Sequence, residues 1–83
     1  MQDMFMLEIL TPDKRIFKGS VHQVTVPGAK APFVILYNHA PIISVLEKGK
    51  LLWSDFDGNH AVDISSGFVE VNENVVTACV ELP

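Results

Sequence analysis

Apolar and polar residues alternate along most of this chain, in short segments that glycine and proline divide. Successive side chains of a β-strand point to opposite faces, so a two-residue period places alternate residues in a core and in solvent. The pattern therefore predicts strands throughout and leaves no room for helices. The apolar residues that share a face within one segment are Phe5, Leu7 and Ile9; Val24 and Val26; Leu51 and Trp53; Val62 and Ile64; and Val69 and Val71.

The predicted strands are separated by residues that favour turns. Asp57-Gly58 is a pair that supplies positive φ for a hairpin between Leu51–Phe56 and His60–Ser66. The segment Phe68–Leu82 is long enough for two strands about one polar turn. Together the breaks predict one domain over residues 1–83, an all-β fold in which about 8–10 short strands form a small antiparallel β-sandwich of two sheets. The predicted breaks are Pro12-Asp13, Lys18-Gly19, Lys48-Gly49, Asp57-Gly58, Ser65-Ser66-Gly67 and Asn72-Glu73-Asn74.

Composition narrows the class of protein. The 83 residues are 48% hydrophobic and carry a net charge of −4, which is far from the composition of a disordered chain. The single cysteine, Cys79, cannot form an internal disulfide, so a disulfide-stapled scaffold is excluded. Nucleic-acid binding is disfavoured, because it needs clustered Lys and Arg to neutralise phosphates and the six in this chain are scattered.

The sequence carries no recognisable motif for catalysis, cofactor binding or metal binding. His22, His39 and His60 lie on different predicted segments, and none has a Cys or His at metal-ligand spacing. The segment 55–59 has a faint likeness to a calcium loop, but its glycine stands fourth rather than sixth. We therefore expect no catalytic residue, no cofactor and no metal, and we interpret this segment as a hairpin turn.

No stretch of the chain predicts insertion into a membrane. The longest uncharged run, Ala31–Leu46, has sixteen residues and contains two prolines, whereas a spanning helix needs about 20 apolar residues. No basic leader precedes an apolar stretch near the N-terminus, so no signal peptide is visible and cytoplasmic residence is expected.

The most informative stretch follows the apolar run Phe33–Leu36. It reads Tyr37-Asn38-His39-Ala40-Pro41, after which apolar residues resume. A loop that carries an aromatic ring and two hydrogen-bonding side chains suits a protein–protein contact.

Two other classes of small all-β domain stay open on the residues alone. Lipoyl and biotinyl carrier domains present a lysine on a hairpin, and Lys48 is the candidate here. Those families carry Asp-Lys-Ala or Met-Lys-Met, whereas this chain has Glu47-Lys48-Gly49. A small oligonucleotide-binding barrel is the second alternative, and the negative net charge disfavours it.

Several short motifs, weak individually, occur in an order and at a spacing that identify a family resemblance from about Leu7 to the C-terminus. The motifs are Leu7-Glu8-Ile9-Leu10-Thr11-Pro12, Ile16-Phe17-Lys18-Gly19, Val24-Thr25-Val26-Pro27-Gly28, His39-Ala40-Pro41, Gly49-Lys50-Leu51, Ser66-Gly67-Phe68-Val69-Glu70-Val71 and Asn74-Val75-Val76-Thr77. In this order they resemble the N-terminal β-sandwich domain of the epsilon subunit of bacterial F-type ATP synthases, called delta in mitochondria.

The resemblance implies a two-sheet, roughly ten-stranded sandwich at the foot of the rotary central stalk. Such a domain is a non-catalytic rotor subunit at the cytoplasmic face of the bacterial inner membrane. It docks to the gamma subunit and to polar loops of the membrane-embedded c-ring, and it couples ion flow to catalysis on other subunits. The ring-facing loop of the family matches Tyr37-Asn38-His39-Ala40-Pro41, and Thr11 and Ser44 match positions that face gamma.

The chain departs from the family pattern in two regions. Relatives carry Gly-Glu-Leu/Phe-Gly-Ile where this chain has Ala31-Pro32-Phe33-Val34-Ile35, so Pro32 replaces an acidic ring-facing position, and Asn38 replaces a glycine. Asn tolerates the left-handed backbone conformation better than most residues. Typical members continue into a two-helix C-terminal domain that can inhibit rotation, whereas this sequence stops at Pro83. We therefore expect a subunit that couples without inhibiting by that route.

Overall fold

The computed structural model describes residues 3–83, which form two β-sheets packed face to face. The alternation of apolar and polar residues explains this arrangement, because each sheet needs a partner to cover its apolar face. Within the described residues there are nine strands and no helix, which confirms the predicted all-β sandwich. The strands are β1 Phe5–Leu10, β2 Arg15–Val21, β3 Gln23–Val26, β4 Phe33–Ile35, β5 Ile42–Leu46, β6 Gly49–Asp55, β7 Gly58–Ile64, β8 Ser66–Asn72 and β9 Val75–Glu81.

The strand order is β2-β1-β9-β8-β5 in the five-stranded sheet and β4-β3-β6-β7 in the four-stranded sheet. All neighbouring strands are antiparallel except β1 and β9, which run parallel with Leu7 opposite Val76. The first and last strands therefore lie side by side in the middle of the larger sheet. This pairing joins residues 6–10 to residues 75–79, which are far apart in the sequence.

The core lies between the sheets and consists of the residues that the alternation placed on one face. Strand β1 alternates between buried and half-buried positions along its whole length. No polar or charged side chain is buried among residues 3–83, so the core is held by apolar packing. The buried side chains are Phe5, Leu7, Ile9, Val21, Val24, Val26, Ile35, Leu46, Leu51, Trp53, Ile64, Val69, Val71, Val76, Ala78 and Val80.

Two predicted hairpins are confirmed, with small shifts in their bounds. The β6–β7 turn is formed by Phe56 and Asp57, and Gly58 opens β7 at φ +117°. The β8–β9 turn contains Glu73 and Asn74, both with positive φ. Both turns use residues in the left-handed region, as tight hairpins require.

The break predicted at Lys18-Gly19 is wrong, because β2 runs through both residues to Val21. The chain bends at His22 instead. The ring of Phe17 lies over Gly19, with its Cζ atom 3.0 Å from where a Cβ would stand. Gly19 is therefore a strand residue that makes room for an aromatic ring, and it does not form a turn.

Lys48-Gly49 and Ser65-Ser66-Gly67 separate strands as predicted, but neither joins hairpin partners. Strands β5 and β6 lie in different sheets, and so do β7 and β8. The connections at 47–48 and at Ser65 are corners at which the chain crosses from one sheet to the other. Alternation and turn residues look the same at a corner and at a hairpin, so the sequence did not distinguish them.

Candidate protein-contact surfaces

One end of the sandwich gathers four connections, and we call it the loop end. It consists of the His22 bend, residues 36–41 between β4 and β5, the 56–57 turn and the 73–74 turn. The strand register places them together, because Phe5 pairs with Val21 and Ile42 pairs with Val71 at this end. Gln23 and Ser54 pair at the same end of the other sheet.

The predicted contact loop, Tyr37-Asn38-His39-Ala40-Pro41, lies at the loop end. Tyr37 is 42% exposed, and the loop turns through a hydrogen bond from His39 N to the Leu36 carbonyl at 3.1 Å. The His39 ring is half-buried, with Nδ1 2.7 Å from the Ala40 carbonyl. The strand β4 separates this loop from Pro32, so Pro32 and Tyr37 lie at opposite ends of that strand.

Asn38 and Asn74 form a reciprocal pair that fixes the loop. Asn38 N donates to Asn74 Oδ1 at 2.7 Å, and Asn74 Nδ2 donates to Asn38 Oδ1 at 2.8 Å. Both residues have a φ of 63°, a left-handed conformation that asparagine adopts readily. The pair ties the β4–β5 connection to the β8–β9 turn across 36 residues of sequence. Asn38 thus adopts a left-handed conformation and supplies a side-chain anchor for the loop.

A second surface is the outer face of the five-stranded sheet at β5 and β8. Ile43 is 73% exposed, Val45 is 65% exposed and Phe68 is 47% exposed. Val45 pairs with Phe68, and both side chains point away from the core because their neighbours Leu46 and Val69 are buried. Three large apolar residues on one face of two adjacent strands form a patch of the kind that marks a contact with another protein.

The structure does not bring Thr11 and Ser44 into one groove. Thr11 lines a groove of about 450 Å³ together with Phe68 and Cys79, and its hydroxyl is 3.1 Å from both the Lys14 carbonyl and the Lys14 N. Ser44 pairs with the buried Val69 and lines a different groove of about 680 Å³. Thr11 therefore reaches the apolar patch at Phe68, whereas Ser44 lies on the other face of β5 but shares its groove with Ile43 and Val45 of the patch.

Four side chains form a column along one side of the sandwich. The ring centroids of Phe17 and Trp53 are 4.9 Å apart. The His60 ring stacks on Trp53 with a centroid distance of 5.4 Å. His60 Nε2 is 2.9 Å from Asp55 Oδ1. This hydrogen bond is the main reason why the pKa of Asp55 lies below its ordinary value of 3.8, although burial opposes the shift. His60 therefore packs on Trp53 and contacts the Asp55 carboxylate at the end of β6.

Residues 3–83 contain no group of three or more His, Cys, Asp or Glu side chains that could hold a metal ion. In the same part of the chain no helix is long and apolar enough to cross a membrane.

Sequence reasoning found the loop at 37–41 but missed the apolar patch. A signal was present, because β5 carries Ile42 and Ile43 in succession and then Val45, which breaks a simple alternation. Phe68 was a second signal, since it is out of phase with the inward-facing Val69 and Val71. Large apolar residues that are out of phase with the buried face of a strand therefore indicate an outer face suited to a protein contact.

The comparisons with known proteins agree with this architecture. Residues 4–82 match the family described as ATP synthase, Delta/Epsilon chain, beta-sandwich domain. The ATP synthase epsilon chain of Maridesulfovibrio salexigens is 37% identical over 82 residues, which are 99% of this chain and 58% of that protein. The epsilon chain of Sulfurovum sp. is 40% identical over 80 residues, which are 95% of this chain and 62% of that protein. The chain thus spans about six tenths of the length of these curated relatives.

Solved structures show the same fold. A chain of the Euglena gracilis mitochondrial ATP synthase, in a structure of its OSCP, F1 and c-ring, superposes with a TM-score of 0.87 at 25% identity. The match covers 93% of this chain and 50% of that one. A chain of the Tetrahymena thermophila central stalk and c-ring matches at a TM-score of 0.80 and 18% identity, with 96% and 65% covered. On the family match and the identity to its relatives, this chain belongs to the ATP synthase delta/epsilon β-sandwich family.

Proposed function

We propose that this chain is a non-catalytic subunit of the rotor of an F-type ATP synthase. It links the gamma subunit of the central stalk to the c-ring and helps to couple ion translocation to ATP synthesis or hydrolysis on other subunits. The observation that carries the proposal is the presence, on one sandwich, of two separate exposed surfaces of the kind that binds other proteins. One is the apolar patch of Ile43, Val45 and Phe68, and the other is the loop 37–41.

The apolar patch fits the contact with gamma. An interface that stays assembled during rotation benefits from a desolvated apolar centre, and aromatic residues often contribute most of its binding energy. Phe68 would be that centre, with Ile43 and Val45 beside it. Thr11 borders the patch along the groove it shares with Phe68 and is assigned to the same contact. Ser44 lines a groove with Ile43 and Val45, and the family resemblance also assigns it to gamma.

The loop 37–41 fits the contact with the polar loops of the c-ring. Tyr37 offers an exposed aromatic ring, and the Asn38–Asn74 pair holds the loop in one conformation. A loop that is already ordered loses less conformational entropy when it binds. His39 is held by its neighbour Ala40 and completes the loop surface with Pro41.

Passing torque requires a body that resists deformation. The parallel pairing of β1 with β9 ties the ends of the chain together, and the uninterrupted apolar core joins the two sheets. Packed protein interiors have low compressibility and transmit strain. In the assembled complex the subunit would lie at the cytoplasmic face of the bacterial inner membrane, held there by its partners.

Copurification tests this function. A tagged copy of the chain, expressed in its own cells, is expected to recover the gamma and c subunits after mild detergent extraction. Their absence from the purified material, with the tagged chain folded and abundant, would refute the proposal.

Site-specific photocrosslinking tests the assignment of the two surfaces. A crosslinker in place of Val45 should react with gamma, and one in place of Tyr37 should react with the c subunit. The reverse pattern would keep the function but overturn the residue assignments.

A further inference from the structure

The basic residues of this chain are absent from the loop end, whereas the acidic residues are spread along the sandwich. The loop end carries Asp3, Asp55, Asp57 and Glu73. The basic residues lie in the middle or at the opposite end, where Lys14 sits in the β1–β2 turn and Lys48 in a corner between the sheets. None of the six Lys and Arg side chains belongs to the loop end. They are Lys14, Arg15, Lys18, Lys30, Lys48 and Lys50.

The same end exposes large apolar side chains. Phe56 is 85% exposed at the tip of the β6–β7 hairpin, and Leu36 and Tyr37 are 52% and 42% exposed. The rings of Phe56 and His22 are nearly perpendicular, with their centroids 5.5 Å apart. His22 also lines a groove of about 490 Å³ with Leu36 and Tyr37. These residues therefore form one continuous surface. A phenylalanine at a turn that is this exposed has no role in the core and is available to a partner.

The acidic and apolar groups of this surface are held in place. Asp55 Oδ1 accepts a hydrogen bond from Asp57 N at 2.8 Å, which orders the hairpin under Phe56. The Asn38–Asn74 pair fixes the loop that carries Leu36 and Tyr37 next to the turn that carries Glu73. Ordered surfaces of this kind bind with less loss of conformational entropy.

From this arrangement we infer that the loop end docks onto a basic protein surface, one in which Lys or Arg side chains surround an apolar pocket for Phe56. The inference rests on the proposed function and deepens it, because it assigns a charge to the neighbouring subunit that the loop end contacts. Charge complementarity selects this occupant, since carboxylates around an exposed aromatic group steer and orient a cationic partner. A second copy docking loop end to loop end would bring these carboxylates against each other and is disfavoured.

The experiment measures binding of the purified full chain to its own ATP synthase complex after the chain has been stripped from it. The dissociation constant of the natural chain should rise about tenfold between low and high NaCl, because exposed charge pairs are screened by salt. The variant Asp57→Asn/Glu73→Gln should bind about tenfold more weakly at low salt and lose most of its salt dependence. Phe56→Ser should weaken binding about tenfold at every salt concentration.

Matched controls separate local from general effects. Glu47→Gln/Asp63→Asn also changes the net charge from −4 to −2 but alters residues away from the loop end, and it should bind like the natural chain. Val34→Thr is the control for Phe56→Ser, since Val34 is exposed on β4, on the outer face of the four-stranded sheet. Circular dichroism and urea unfolding should show every variant folded.

The outcomes distinguish the two proposals. If the natural chain does not bind the stripped complex, the proposed function and this inference both fail. If it binds, but the loop-end variants bind equally well or only as weakly as their controls, the inference alone fails. Salt-sensitive self-association in sedimentation that Asp57→Asn/Glu73→Gln abolishes would also overturn it, in favour of a second copy of the chain.

Discussion

The two sheets of the sandwich share one inner pattern but present different outer faces. The five-stranded sheet exposes Ile43, Val45 and Phe68 close together, whereas the four-stranded sheet places Thr25 between its exposed Val34 and Leu52. The four-stranded face also carries the ion pair between Lys50 and Asp63 at 2.8 Å. Alternation therefore distinguishes buried from exposed positions in both sheets, whereas a cluster of large apolar residues at exposed positions, as on the five-stranded face, is the feature typical of a protein contact.

The largest expected effect compares a glycine in each sheet. A Cβ on Gly67 in β8 would lie 2.5 Å from the Cys79 carbonyl oxygen and 3.0 Å from the Val80 Cα, so the backbone of β9 would have to move. We expect Gly67→Ala to lower the free energy of unfolding by about 3 kcal/mol. Gly58 opens β7 with nothing within 4 Å, and only its φ of +117° opposes a side chain.

Gly58→Ala should therefore cost about 1–2 kcal/mol, the strain of an unfavourable φ without a clash. Urea unfolding of both variants measures the difference. Equal losses of stability would show that the close approach of β8 and β9 is not the determining factor.

The second effect concerns binding and compares the two outer faces. Phe68→Glu places a charge in the apolar patch and should weaken binding to the gamma subunit by about 2 kcal/mol, because buried aromatic centres dominate such interfaces. Leu52→Glu, an equally drastic change on the four-stranded face, should leave binding unchanged. Both residues are exposed, so neither change should shift the urea midpoint by more than a few tenths of a molar. Calorimetry with purified gamma subunit measures the binding. An equal loss of affinity in both variants would contradict the assignment of the patch to gamma.

A third, smaller effect is the acid sensitivity of the four-stranded sheet. The hydrogen bond from His60 lowers the pKa of Asp55 below 3.8 in the folded state. A carboxyl group with a depressed pKa stabilises the fold above its unfolded pKa, and this contribution is lost as the pH falls through the folded value. Asp55→Asn should therefore flatten the loss of stability on acidification below about pH 4.

Urea midpoints between about pH 2.5 and 6 measure this slope. Asp63→Asn is the control, because Asp63 is exposed and pairs only with Lys50 across the surface. If both substitutions change the dependence of stability on pH equally, the His60 contact is not the cause of the effect.

The smallest effect is expected from the ion pair between Lys50 and Asp63. Both side chains are more than 60% exposed, so solvent and salt screen their attraction. A double-mutant cycle with Lys50→Met and Asp63→Asn should give a coupling energy below about 0.5 kcal/mol. A coupling energy above about 1 kcal/mol would show that solvent screens this ion pair less than the exposure of its two side chains implies.

Much of the fold could be predicted from the sequence because its signals are local. The faces of β1, β3, β6, β7 and β8 followed from alternation, and the polar turn at Asn72-Glu73-Asn74 followed from residue type. The error at Lys18-Gly19 has a long-range cause, since Lys18 pairs with Glu8 and Gly19 with Leu7, which keeps both residues within β2. The predicted contact loop at 37–41 was visible as a polar interruption of an apolar run, whereas its anchor Asn74, 36 residues from Asn38, was not.

Residue type and short spacing were enough to predict the buried side of five strands, the places of several turns and the family to which the chain belongs, because each of these signals lies within one short segment. The order of the strands, the corners between the sheets and the surfaces that distant residues share became visible only in the folded chain. The meeting of Asn38 with Asn74, and of Phe56 with His22 and Tyr37, depends on strand order and register. Register is a property of two paired segments, so neither segment's own pattern contains it.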